Sequence, residues 1–189
     1  MLLFLQKKEM RITFNSPFIL IFTLIATVVI AFTLVTGYPL EIFTLHGNFN
    51  AQSWQSYFGL ILYPLSHLNT QHLVGNFGII LLLGPILEKK FGWKRLLLMS
   101  LATTIIIAIV HIIISDSNLI GASGLVFMYI VLSSLADSSG KEIPLTFILV
   151  AILFLGQEII GTFKEDSVSQ MVHICGGIMG VVYRYFVKV

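Results

Sequence analysis

Ser123 stands in the run Gly121-Ala122-Ser123-Gly124, where a strongly apolar stretch begins. A leucine there would suit a membrane better than a hydroxyl between glycines. Further on, His173 opens the run His-Ile-Cys-Gly-Gly-Ile-Met-Gly. His72 and Asn76 sit one helical turn apart, on one face of another apolar stretch. A serine and a histidine are the minimum for nucleophilic acyl transfer, because the hydroxyl attacks only when a neighbouring imidazole takes its proton. Hydrolysis also needs donors aimed at the oxyanion of the tetrahedral intermediate. A histidine ring, an asparagine amide and a backbone N–H can all serve. Taken singly, each residue has a plainer role: serine caps helices, and intramembrane histidine and asparagine bond across them. The chemistry requires a fold that brings them together.

The chain has 189 residues, 57% of them apolar and 11% charged, with a net charge of +2 and a mean hydropathy of +0.95. Soluble domains carry roughly 25% charge, so lipid is the expected solvent, and a charge this small gives no footing for nucleic acid. Cys175 is the single cysteine; it rules out an intrachain disulfide and reads as a small packing residue. The apolar stretch at 17–37 is too long for the roughly 7–15-residue core of a signal peptide and is read as a retained first span.

Spans of about 20 apolar residues are expected at 17–37, 71–87, 94–115, 119–136, 143–161 and 168–187. The chain thus divides into a cytoplasmic segment, 1–16, and a six-span domain, 17–189, with a long outer loop at 38–70. That loop mixes polar and apolar residues and is expected to lie in or on the outer leaflet as short amphipathic pieces. Lys7, Lys8, Arg11, Lys89, Lys90, Lys94, Arg95, Lys141, Arg184 and Lys188 fall on one side of this arrangement, and Lys164 alone on the other. Both termini are therefore expected in the cytoplasm.

With that topology the second, fourth and sixth spans run inward, and each carries its polar residues early. Ser123 follows Asp116 by seven residues, and His173 follows Asp166 by seven. A continuous helix would put both roughly 10 Å below the outer boundary. The fourth span is also short, so Ser123 is expected near a helix N-terminus with free N–H groups. Gly176, Gly177 and Gly180 share the face of His173. Small residues so spaced let membrane helices approach closely, and the expected facing patch is Gly121-Ala122-Ser123-Gly124.

In this order, these residues resemble the rhomboid family of intramembrane serine proteases, over roughly residues 58–184. Gly121-Ala122-Ser123-Gly124 is similar to the family's nucleophile motif, His173-x-x-Gly176-x-x-x-Gly180 to its histidine helix, and His72-x-x-x-Asn76, with His67 upstream, to its His-x-x-x-Asn element. Gly84-Pro-Ile-Leu-Glu88-Lys-Lys-Phe-Gly92 looks like its cytoplasmic end of the second span. The resemblance implies an all-α membrane protein with a six-helix rhomboid-like bundle. Ser123 would be the nucleophile and His173 the general base and acid; His72, Asn76 and the Ser123 N–H would form the oxyanion hole, and Phe127 would pack on His173. It further implies single-span membrane protein substrates that enter laterally near spans 2 and 5, no metal and no organic cofactor. The chain departs from the family at Phe58-Gly59, where Trp-Arg is frequent.

Two other classes remain open to the sequence. A non-catalytic relative could bind membrane helices, and a small transporter could use intramembrane polar residues, although no inverted repeat is visible. A compact chain of this kind suggests a bacterial plasma membrane, with the site opening to the extracytoplasmic side. Among the other polar residues, His67 is expected to stabilise its loop, His111 to be interfacial, Glu88 to anchor its helix end, and Gln157 and Glu158 to be solvated; His46 suggests no role.

Overall fold

The computed structural model describes the backbone of residues 12–38, 41–136, 142–162 and 167–186, and the side chains of these outside 154–169. The helices are α1 (Pro17–Thr36), α2 (Trp54–Leu62), α3 (Thr70–Phe91), α4 (Trp93–Ile114), α5 (Ser123–Leu135), α6 (Leu145–Thr162) and α7 (Ser167–Phe186). Apart from short 3-10 turns, the only other regular pairing among the described residues is an isolated antiparallel bridge between Leu45 and Leu119. Each of the six expected spans contains one helix. In addition, the segment at 38–70 contains α2 and 3-10 turns at Glu41–Phe43 and Tyr63–Leu65.

Helices α1, α3 and α4 are long and apolar enough to cross a membrane, while α5 is shorter. At 1.5 Å per residue, the 13 residues of α5 reach about 20 Å, less than the roughly 30 Å hydrocarbon core. The expectation of a helix from 119 is corrected here. Residues 115–122 are not helical, so the depth argument from seven helical residues does not hold for Ser123. The basic residues at 7, 8, 11, 141, 164 and 188, and the side chains of Gln157 and Glu158, lie outside the described residues.

Helix α5 is the centre of the bundle. Its Leu125, Met128, Tyr129 and Leu132 are buried, and α3, α4, α6 and α7 surround it. A sparse polar layer ties these helices: the Tyr129 hydroxyl meets Ser100 Oγ at 2.9 Å, and the Tyr183 hydroxyl donates to the Met99 carbonyl at 3.0 Å. In an apolar bundle such bonds satisfy groups that lipid cannot.

Glu88 exceeds its expected role as an anchor. It is 5% exposed, and its two carboxylate oxygens accept the backbone N–H groups of Phe18, at 3.1 Å, and Ile19, at 3.0 Å. These are orphan donors in the first turn of α1, where negative charge is also favoured by the helix dipole. Glu88 thus caps a helix nearly 70 residues away in sequence, locking α1 to α3.

Candidate functional site

The site is built around the start of α5. The chain arrives from α4 through residues 115–122 without helix. Leu119 exchanges backbone bonds with Leu45, at 3.0 and 2.8 Å, and the Gly121 N–H donates to the Tyr63 carbonyl at 3.0 Å. Gly121 has φ +107°, which L side chains rarely adopt. The helix then begins at Ser123, which is half-buried. The first N–H groups of a helix have no intrahelical acceptor, and Ser123 stands among them in α5.

Helix α7 meets α5 backbone to backbone. A methyl group on Gly176 would fall inside the envelope of the Gly124 carbonyl oxygen, and 2.9 Å from its carbonyl carbon. Farther down, one on Gly180 would meet the Met128 carbonyl at 2.8 Å. Gly176, Gly180 and Gly124 thus lie at the closest approach of the two helices. Gly177 does not, since its nearest neighbour would be Val131 at an ordinary 3.8 Å. Nor does Gly121 face α7. It faces α3, where an added methyl would strike the His72 ring, at 2.7 Å from Cε1 and 2.9 Å from Nε2.

This close approach sets His173 against the first turn of α5. Its ring stacks on Phe127, centroids 4.1 Å apart and planes within 2° of parallel. Phe127 lies one turn below Ser123, on the same helix face. From the other side, α3 brings His72 against Gly121 and within electrostatic reach of His173. Asn76 Nδ2 lies 3.6 Å from the Gly121 methyl position. That amide nitrogen is buried and has no hydrogen-bond partner among the described residues. A buried unmet donor costs about 1–3 kcal/mol, and its retention suits a site that offers a donor to something else.

His67 and His111 are more engaged than the sequence suggested. His67 is 4% exposed and stacks edge-on with His72, centroids 4.9 Å apart, and with Phe77 at 5.6 Å. Neither of its ring nitrogens has a hydrogen-bond partner among the described residues. Burial, reinforced by the His72 imidazole, pushes its pKa down from 6.5 to about 4. His111 is buried rather than interfacial, and its Nε2 donates to the Ser117 carbonyl at 2.8 Å. Its function is to hold the loop that leads into Ser123. His46 does likewise, with Nδ1 3.2 Å from Asn118 Oδ1.

The sequence offered no sign of Tyr63, whose carbonyl holds Gly121, or of Gly47. A methyl group on Gly47 would meet the Asp116 and Ser117 carbonyl oxygens at 2.5 Å. Backbone partners of this kind have no residue-type signature.

A comparison with curated proteins gives no match. The family model described as the Rhomboid domain matches residues 50–188, which include α2 through α7 and Ser123, His173, His72 and Asn76. With its long apolar helices and this match over most of its length, the chain is an integral membrane protein that belongs to the rhomboid family.

Proposed function

We propose that the protein is an intramembrane serine endopeptidase that cuts membrane-spanning helices through an acyl-enzyme. The observation that carries this reading is the pairing of α5 and α7, which stacks His173 on Phe127 one turn from Ser123. In the proposed reaction the His173 imidazole accepts the Ser123 hydroxyl proton as Oγ attacks the scissile carbonyl. The oxyanion is met by His72, Asn76 Nδ2 and the Ser123 N–H. His173 returns the proton to the leaving amine, and a water activated by the same imidazole then hydrolyses the ester. The unpartnered Asn76 amide supports this assignment.

The six-span topology belongs to the same proposal. Both termini lie in the cytoplasm, the site opens to the other side, and residues 17–189 form one domain in a bacterial plasma membrane. Single-span substrates enter laterally near α3 and α6.

Labelling by a fluorophosphonate, together with cleavage of a helical membrane substrate in detergent, tests the dyad. Ser123→Ala and His173→Ala are each expected to abolish both while leaving thermal unfolding unchanged. Full cleavage by either variant refutes the dyad. A folded wild-type chain that neither labels nor cleaves would instead be a helix-binding relative without catalysis.

A further inference from the structure

Beside α1, near the point where α3 passes into α4, lie two neighbouring recesses. The first, about 410 Å³, has a wholly apolar lining that includes Phe18, Ile21, Ile25 and Leu97. The second, about 510 Å³, is lined by Asn15, Glu88 and Lys89 among others. Pro17 and Trp93 border both. The result is an apolar slot with a polar mouth, each part within the roughly 300–1,000 Å³ of ordinary ligand sites.

The exposed charge beside the mouth is basic. Lys89 and Lys94 are exposed, and Lys94 Nζ sits 5.5 Å from the centre of the Trp93 ring. The carboxylate that lines the mouth, Glu88, is buried and directs both oxygens at α1. An indole at this level is the usual marker of the headgroup zone, and basic pockets between membrane helices bind anionic headgroups.

From these features we infer a binding site for one anionic phospholipid. An acyl chain lies in the apolar slot between α1 and α4, and the phosphate is held at the mouth by Lys89 and Lys94. Apolar lining alone would accept any lipid tail. The two lysines beside the shared tryptophan make the site selective for negative charge. This site shares no residue with the proposed active site, and its test is independent of the protease reading.

Trp93 is a built-in reporter. The chain has two tryptophans, so Trp54→Phe leaves Trp93 alone. The full chain is placed in phosphatidylcholine vesicles that contain either phosphatidylglycerol or phosphatidylcholine with brominated acyl chains. Brominated phosphatidylglycerol is expected to quench Trp93 at much lower mole fraction than brominated phosphatidylcholine. Lys89→Gln with Lys94→Gln should reduce that preference by roughly fivefold for each lysine removed. Ile25→Phe, which fills the slot, should remove the low-fraction quenching while leaving the helical circular dichroism intact. Equal quenching by the two lipids, or a preference that survives loss of both lysines, overturns the proposal. It is also overturned if selective quenching arises only after removal of residues 1–11, because the chain's own apolar leading segment would then be the occupant.

Discussion

Replacing Gly176 by alanine adds one methyl group at the tightest point of the bundle. Its Cβ would lie 2.9 Å from the Gly124 carbonyl carbon and 3.1 Å from its Cα, with the oxygen closer still. Ordinary contact begins near 3.4 Å. The helices must therefore part by about 0.5 Å at the carbon and by more at the oxygen. The obstacle is backbone, so no rotamer change relieves it. Overpacking costs about 1–3 kcal/mol where side chains can yield, and the upper end of that range is expected here. The catalytic loss should be larger in proportion. His173 rides on the same helix, three residues earlier, and its stacking on Phe127 at 4.1 Å would be opened. A misplacement near 1 Å can cost on the order of 100-fold in rate.

Gly177→Ala is the matched control. It changes the same atoms one position along, yet its Cβ would meet only Val131 at 3.8 Å. Alanine's better helix propensity should make it neutral or more stable by up to about 1 kcal/mol. Thermal unfolding in detergent and the rate of fluorophosphonate labelling at Ser123 measure both variants. If Gly176→Ala and Gly177→Ala behave alike, the close contact of α5 and α7 does not set the site and the reasoning fails.

Gly121→Ala should lower the labelling rate more than the melting temperature, because it both strains φ +107° and displaces the His72 ring 2.7 Å away; an unchanged rate would remove His72 from the site. Glu88→Gln should destabilise the protein by about 2 kcal/mol, the usual scale for charge-assisted bonds, since the amide can replace only one of the two acceptors of the Phe18 and Ile19 N–H groups; chemical denaturation reads this, and a wild-type midpoint would show that the cap is idle. His67 gives a pH dependence. Its pKa falls from 6.5 in the unfolded chain to about 4 in the folded one, so the unfolded chain takes up the proton first as pH falls. Stability from this group is full above pH 6.5, declines between 6.5 and 4, and is flat below, a loss of roughly 3 kcal/mol. His67→Phe should flatten melting curves across that window, and an unaltered pH profile would refute the assignment.

The helices were legible because each apolar run is bounded by charges or turn residues, as at 88–92, where Lys89 and Lys90 end α3 and Gly92 breaks it from α4. The histidine face of α7 was legible for the same kind of reason, since spacing alone puts Gly176 and Gly180 beside His173. Spacing could not separate Gly176 from Gly177. Both flank the histidine's line on the helix, and only the rotation of α7 against α5 decides which one meets backbone. The start of α5 was misread because Leu119-Ile120 has the hydropathy of a span. Its backbone is instead taken by Leu45 and Tyr63, partners more than 50 residues distant that leave no local trace.

The same distant partners govern the outer segment. The family's frequent Trp-Arg is replaced here by Phe58-Gly59, so any hydrogen bonds from such an arginine are absent. Gly59 substitutes a different device: without a side chain, α2 can seat against Thr44, whose carbonyl oxygen lies 2.5 Å from the methyl position. Thr44 adjoins Leu45, which bridges to Leu119. Gly47, two residues on, seats against Asp116 and Ser117, and His46 reaches Asn118. A continuous line of backbone contacts thus runs from α2 to the loop that delivers Ser123. Apart from the His46–Asn118 side-chain bond, each link depends on the absence of a Cβ or on a main-chain bond. Main-chain bonds in an apolar surround are costly to leave unmade, so the loop that leads into Ser123 is fixed by geometry and not by charge.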